Sequence, residues 1–106
     1  MFHLWVDDMR RPPSEDWFCV KSVKDAIIAI KMYEKNMSGS DTILISLDHD
    51  AGDFAADGGD YIRVLDWLEY EGIVDTGYFF HLHTQNPVGR QNMRAIIQKN
   101  GWREVF

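Results

Sequence analysis

Acidic and imidazole side chains follow directly after three short apolar segments of the chain. The first segment ends at Asp7-Asp8, the second at Asp48-His49-Asp50 and the third at His83-Thr84-Gln85-Asn86. Carboxylates that crowd together repel one another by about 4 kcal/mol per close pair at an effective dielectric of about 20. A hard cation such as Mg²⁺ relieves that repulsion, because it prefers oxygen ligands and retains open positions for a phosphate. Without a metal, one carboxylate should hold a proton.

The segments that carry these side chains have the length and composition of β-strands. Residues 2–6, 17–20, 42–47 and 77–83 are short apolar runs, and residues 102–106 could form a last edge strand. Between them, apolar residues at helical spacing predict three helices, over 23–36, over 61–72 and from Asn86-Pro87 to Asn100-Gly101. Ser22 with Asp25 has the spacing of a capping box. Residues 51–59 are expected to form a flexible acidic loop. The alternation predicts an α/β fold with a mainly parallel sheet.

The connector between the first two strands contains Pro12-Pro13 and is too short for a crossover helix. Eight residues at roughly 3.3 Å each still span about 26 Å, so an extended return is feasible. We therefore expect the strand order 2-1-3-4, or 2-1-3-4-5 with the edge strand, and no first crossover helix. In that order the first and third strands are neighbours, and the polar strand ends converge beside one crevice.

Length and composition indicate one soluble domain over residues 1–106. Apolar residues make up 45% of the chain and aromatic residues 13%, too many for a disordered segment. The net charge of −6 argues against extended nucleic-acid binding. No apolar run is long enough to cross a bilayer, and the acids after the first strand do not fit a signal peptide, so we expect a cytoplasmic protein with no membrane partner. The lone Cys19 rules out an internal disulfide.

The pattern of strand ends resembles the receiver domain of two-component signalling, and in finer detail the cyclic-phosphate-processing receiver-like family. The blocks that carry the resemblance are Leu4-Trp5-Val6-Asp7-Asp8-Met9-Arg10, Ser46-Leu47-Asp48-His49-Asp50, Gly59-Asp60-Tyr61 and His83-Thr84-Gln85-Asn86-Pro87-Val88-Gly89. The resemblance implies a receiver-like (flavodoxin-like) three-layer α/β fold. It also implies an activity on cyclic phosphates.

By the same resemblance, Asp7, Asp8 and Asp48 would bind Mg²⁺ or Mn²⁺, and Asp48 would stand where receivers accept phosphate. Asp50 is a fourth candidate metal ligand. The chain has no Lys where receivers clamp the phosphoryl group after the fifth strand, which argues against phosphorelay. Without a function, Asp7 and Asp8 would simply cap the sheet.

Opening a cyclic phosphodiester needs a base for water, an acid for the leaving alkoxide and positive charge on the phosphoryl oxygens. His49 and His83 are candidates for the acid and the base, because imidazole titrates near neutral pH. The structural alternatives are a charge partner of its neighbouring aspartates for His49 and a hydrogen-bonded strand end for His83. Further candidates are the Thr84 hydroxyl in the catalytic group and, for the phosphate, the helix start and two arginines: Asn86, Val88, Gly89, Arg90 and Arg10.

Two functions that involve phosphate remain open at this stage, and a purely structural interaction protein is a third possibility. The first is a small metal-dependent phosphoesterase, a cyclic phosphodiesterase acting on a cyclic nucleotide or an RNA end. The alternative is a non-catalytic receiver-like module that binds phosphate or a phosphorylated ligand. In both cases the partner is a phosphate-bearing small molecule or RNA end.

Overall fold

The computed structural model describes residues 1–73 and 77–106. Within them the chain forms five β-strands, three α-helices and a 3₁₀ helix. The strands are β1 (Phe2–Val6), β2 (Phe18–Val20), β3 (Ile43–Leu47), β4 (Tyr78–Leu82) and β5 (Arg103–Glu104). The helices are α1 (Val23–Glu34), α2 (Ile62–Tyr70) and α3 (Pro87–Lys99), and the 3₁₀ helix is Gly52–Asp57.

The five strands form one parallel sheet in the order β2-β1-β3-β4-β5. This confirms the predicted α/β class and strand order. The register pairs Val6 with Leu47 and Leu47 with Leu82, so β1, β3 and β4 end side by side. No helix lies between β1 and β2, as the short Pro-containing connector predicts.

Alternate residues of the sheet point to opposite faces, and one face holds the hydrophobic core. All three helices pack there, in one cluster with the buried strand residues Leu4, Val6, Ile43, Ile45, Leu47, Tyr78, Phe80 and Leu82. The opposite face presents the other residues of the central strands, which are His3, Trp5, Leu44, Ser46, Phe79 and His81. His83, one residue past β4, continues this face. Most of the chemistry-bearing side chains of the sheet therefore lie on the face that the helices do not cover.

The connector of residues 7–17 takes the place of a second helical layer on that face. Trp17 packs against His3 and Trp5, with ring centroids 4.9 and 5.6 Å apart. The Trp5 Nε1 donates a hydrogen bond of 2.9 Å to the carbonyl of Arg10, which ties the connector to the sheet. The third layer implied by the family resemblance is thus an extended segment, because the chain before β2 is too short and too rich in proline for a helix.

The starts of α1 and α3 follow their predicted caps. The Ser22 hydroxyl accepts a hydrogen bond of 3.0 Å from the Asp25 amide, and α1 ends at Glu34, two residues before its predicted end. The loop expected to be flexible instead contains the 3₁₀ helix, none of whose residues is buried. In the described ranges, no helix combines the length and apolarity that crossing a membrane requires.

Candidate functional site

The polar residues after three adjacent strands lie at one edge of the sheet. The amide of Asp48 donates to the carbonyl of Val6 at 3.0 Å, and the amide of His83 donates to that of Leu47 at 3.0 Å. These bonds continue the parallel ladder by one residue past each strand. Asp7, Asp48 and His83 are therefore neighbours at the carboxyl end of the sheet, as the sequence predicts.

Three carboxylates form the centre of this edge. Asp7, Asp8 and Asp48 each offer one oxygen, and the three oxygens lie within 4.8 Å of one another. Burial raises the pKa of the neighbouring Tyr61 phenol, and the negative charges of Asp8, Asp7 and Asp48 raise it further. An all-oxygen donor set of this size suits Mg²⁺ or Mn²⁺.

The loop after β3 closes against one of these carboxylates. Gly52 has φ +57°, and a Cβ at this position would stand 2.5 Å from Asp8 Oδ2. Only glycine combines this left-handed conformation with so close an approach. The donor set and the glycine that borders it together fit a bound divalent cation.

Asp7 is the most tightly held member of the cluster. Its Oδ1 accepts hydrogen bonds from the amides of Met9 at 2.8 Å and Arg10 at 3.0 Å, and its Oδ2 lies 2.9 Å from His83 Nε2. Burial raises the pKa of Asp7, but the hydrogen bonds from Arg10, Met9 and His83 outweigh it and lower the pKa below its ordinary value. Asp7 is therefore an ionised, oriented carboxylate at neutral pH.

His83 uses both ring nitrogens inside the protein. Nε2 contacts Asp7, Nδ1 lies 2.8 Å from the Ser46 hydroxyl, and the ring stacks on Trp5 with centroids 3.9 Å apart. Burial lowers the pKa of His83 below its ordinary value, although the contact with Asp7 opposes this. The geometry suits a residue that holds Asp7 in place better than the acid or base that the sequence suggests.

His49 retains a nitrogen for chemistry. Its Nδ1 lies 2.9 Å from Asp50 Oδ1, and in the described part of the chain its Nε2 has no partner. The ring packs on α3, because a Cβ on Gly89 would stand 2.5 Å from His49 Cγ and Cδ2. Asp50 does not join the three carboxylates at the strand ends; it groups with His49 and Asp60 instead. The prediction that Asp50 completes the first metal set lacks support, since its carboxylate turns toward the imidazole.

The start of α3 uses most of its donors internally. The Asn86 side chain accepts from the Gly89 amide at 3.0 Å, and the Asn86 carbonyl accepts from the Arg90 amide at 2.9 Å. The Thr84 hydroxyl, 1% exposed as a residue, accepts from the Asn86 amide at 3.1 Å. Pro87 has no N–H, so in the described part of the chain the Val88 amide is the first-turn donor left for an anion.

Two predicted phosphate-binding arginines reach the β4–α3 connection. Arg10 Nη1 donates to the His83 carbonyl at 3.0 Å, and Arg90 Nη2 donates to the Thr84 carbonyl. The Arg90 Nε is buried and, among the described residues, has no hydrogen-bond partner. Each guanidinium is anchored by one group and keeps others for a ligand.

A comparison with protein families agrees with this geometry. The family model of the cyclic-phosphate processing receiver domain matches residues 2–99. The chain belongs to this family. Comparisons with curated proteins and with solved structures gave no significant match.

This cyclic-phosphate processing receiver domain also uses residues that sequence reasoning missed. Ser46 is fully buried and bridges two histidines, Trp5 supports the His83 ring, and Asp60 accepts a hydrogen bond of 3.0 Å from the Ala51 amide. The signal for Ser46 was a single hydroxyl within an apolar strand. Trp5 and Asp60 stand in blocks that carry the family resemblance, but the blocks do not reveal their roles, because those roles depend on contacts between separate segments.

Proposed function

We propose that this domain is a small metal-dependent phosphoesterase that opens a cyclic phosphate, carried by a cyclic nucleotide or an RNA end. The observation that carries the proposal is the juxtaposition of three carboxylates with the His49–Asp50 pair at one sheet edge. The family's description as cyclic-phosphate processing agrees with this assignment. We also propose that the protein works in the cytoplasm.

Asp7, Asp8 and Asp48 would hold Mg²⁺ or Mn²⁺, which when bound supplies positive charge to the phosphoryl oxygens. Asp7 is fixed by three hydrogen bonds. Asp48 Oδ1 accepts a hydrogen bond of 2.8 Å from the His49 amide, which leaves its second oxygen for a ligand. This arrangement favours a preorganised set of anionic oxygens over one assembled on binding.

His49 is the proposed general base. Its Nε2 removes a proton from water, the water oxygen forms a new bond to phosphorus, and the bond from phosphorus to one ring alkoxide breaks. The same Nε2 then returns the proton to that alkoxide, so the product is a phosphate monoester with a free hydroxyl. Asp50 accepts the Nδ1 hydrogen and stabilises the imidazolium between the two steps.

The phosphate itself would contact the start of α3. The Val88 amide and the positive end of the helix dipole favour an anion there. Arg90 and Arg10 add charged donors next to the same connection. These groups bind and orient the phosphate, while Thr84 shapes the connection before α3 and Gly89 the first turn of α3.

The test is turnover of 2′,3′- and 3′,5′-cyclic nucleotides and an RNA with a 2′,3′-cyclic phosphate, each with Mg²⁺ or Mn²⁺. We expect Asp48→Asn and His49→Ala to abolish the release of monoester, and Asp53→Asn, at an exposed position of the 3₁₀ helix, to retain it. If the wild type converts no substrate in this panel, the proposed catalysis is wrong.

One observation favours the alternative of a non-catalytic receiver-like module. Both nitrogens of His83 and the hydroxyl oxygen of Thr84 already have partners in the protein, so of the two histidines that the sequence suggests for acid–base work only His49 keeps a nitrogen for it. Incubation with acetyl phosphate followed by intact-mass measurement separates the two functions. A stable gain of one phosphoryl group, lost in Asp48→Asn, supports the module and argues against the hydrolase.

A further inference from the structure

A continuous line of hydrogen bonds runs from the carboxylate cluster along the open face of the sheet. Asp7 Oδ2 lies 2.9 Å from His83 Nε2, His83 Nδ1 lies 2.8 Å from Ser46 Oγ, and Ser46 Oγ lies 2.9 Å from His81 Nδ1. Ser46 is directly opposite His81 in the register of β3 and β4. The proposed chemistry uses neither Ser46 nor His81.

The direction of these bonds follows from counting hydrogens. An ionised carboxylate only accepts, so His83 Nε2 must carry the hydrogen of the first bond. The His83 side chain is 8% exposed and stacks flat on Trp5, and such burial disfavours a charged ring, so His83 carries one hydrogen. Its Nδ1 then has no hydrogen, and Ser46 must donate to it. Because a hydroxyl has one hydrogen, the bond between Ser46 and His81 must be donated by His81 Nδ1.

We propose that Ser46 and His81 are positioning residues that fix His83 in its Nε2–H tautomer, so that His83 orients Asp7 for the cation. The proposal rests on the proposed function, because it concerns how the metal-binding carboxylate is held. Its direct consequence is that His81 is held in the Nδ1–H tautomer, with its Nε2 lone pair unprotonated.

The surroundings of the line exclude a flipped His83 ring and a water molecule at Ser46. Ser46 is 0% exposed, so water does not replace either of its partners. Rotation of the His83 ring by 180° about its Cβ–Cγ bond would exchange each nitrogen for a carbon, and both hydrogen bonds would be lost. The ring also lies flat on Trp5, with an interplanar angle of 4°. The line of hydrogen bonds is therefore a fixed part of the sheet, and it depends on the hydroxyl of Ser46.

The test is long-range ¹H–¹⁵N NMR of the histidine rings in the full chain at pH 7.5, with Mg²⁺ titrated separately by calorimetry. In the wild type we expect hydrogen on His83 Nε2 and on His81 Nδ1. In Ser46→Ala, His81 loses its acceptor and returns to the Nε2–H form usual in solution, and Mg²⁺ affinity falls about 10-fold. Ser46→Thr keeps the hydroxyl and should restore both results.

Two further variants separate the loss of the hydrogen-bonded line from a general disturbance of the fold. His81→Phe at a partly buried position should weaken Mg²⁺ binding, whereas His3→Phe, on the same face but outside the line, should leave the His83 signals and the affinity unchanged. A wild-type His81 that carries its hydrogen on Nε2, a doubly protonated His83, or tautomers that do not change in Ser46→Ala would overturn the proposal. The tautomer signals need no substrate, so a failure of turnover alone would refute the proposed function and not this inference.

Discussion

Gly89→Ala is predicted to separate activity from stability. Gly89 lies in the first turn of α3 with an ordinary negative φ, so alanine fits the backbone and gains up to about 1 kcal/mol of helix propensity. The new Cβ, however, would stand 2.5 Å from His49 Cγ and Cδ2 and 2.9 Å from its Nδ1. The substitution therefore displaces the His49 imidazole and leaves the helix backbone in place.

The size of the displacement follows from contact distances. Carbon atoms in contact settle at about 3.5–4.0 Å, so the His49 ring must retreat by about 1–1.5 Å. That movement stretches the 2.9 Å bond between Nδ1 and Asp50 and moves the reactive Nε2. A misplacement of about 1 Å costs on the order of 100-fold in rate, or about 2.7 kcal/mol of transition-state stabilisation.

The assay compares kcat on a 2′,3′-cyclic nucleotide with Mg²⁺, the ring NMR signals of His49 and the urea midpoint. We expect about 100-fold slower turnover, shifted His49 signals and a free energy of unfolding within about 1 kcal/mol of the wild type. Gly39→Ala is the matched control, since nothing lies within 4 Å of its added Cβ. Wild-type turnover with unshifted His49 signals in Gly89→Ala would refute the reasoning.

Three other substitutions test the electrostatics and caps of the fold. Asp48→Asn should raise the metal-free free energy of unfolding by about 1–3 kcal/mol in urea titrations, because it relieves carboxylate repulsion, and should abolish stabilisation by Mg²⁺. Ser22→Ala should cost about 1 kcal/mol in the same assay, because α1 loses its N-cap, whereas Ser22→Thr should recover most of the loss. Burial, followed by the bond to Glu34, raises the pKa of Tyr78 above 10.0. The unfolded chain therefore loses this proton first, and stability should fall above pH 10 by up to about 1.4 kcal/mol per pH unit, less steeply in Tyr78→Phe.

Each of these predictions has a contrary result. An Asp48→Asn protein less stable than the wild type without metal would mean that the carboxylates do not repel. Equal stability of Ser22→Ala and the wild type would show that the Ser22 cap does not stabilise α1. Parallel alkaline stability curves for the wild type and Tyr78→Phe would show that the phenol does not stay protonated in the fold.

The sequence predicts the frame of the molecule well, because that frame depends on local patterns. Apolar runs that stop at acids identify β1 and β3, and Asn86-Pro87 identifies the start of α3. A sheet edge that collects Asp7 and Asp48 follows from strand order alone. These features need no knowledge of side-chain packing.

The functional contacts within that frame depend on packing between distant segments. The sequence grouped Asp50 with the metal ligands, but the turn after β3 directs it to His49. For His83 it offered both an acid or base and a hydrogen-bonded strand end, and it could not choose between them, because stacking on Trp5 and the bond to Ser46 cannot be read from spacing. The 3₁₀ helix could not be predicted either, because an acidic stretch that contains glycine is equally typical of a loop.

Metal binding tests most directly the claim that three carboxylates form a metal centre. Calorimetry or Mn²⁺ electron paramagnetic resonance on the full chain measures it. Asp7, Asp8 and Asp48 should bind one divalent cation per chain, and Asp8→Asn should lose that site while the exposed Asp53→Asn retains it. Equal binding by the wild type and Asp8→Asn, or a site lost with Asp60→Asn in place of Asp8→Asn, would contradict the assignment of the three carboxylates as the metal centre.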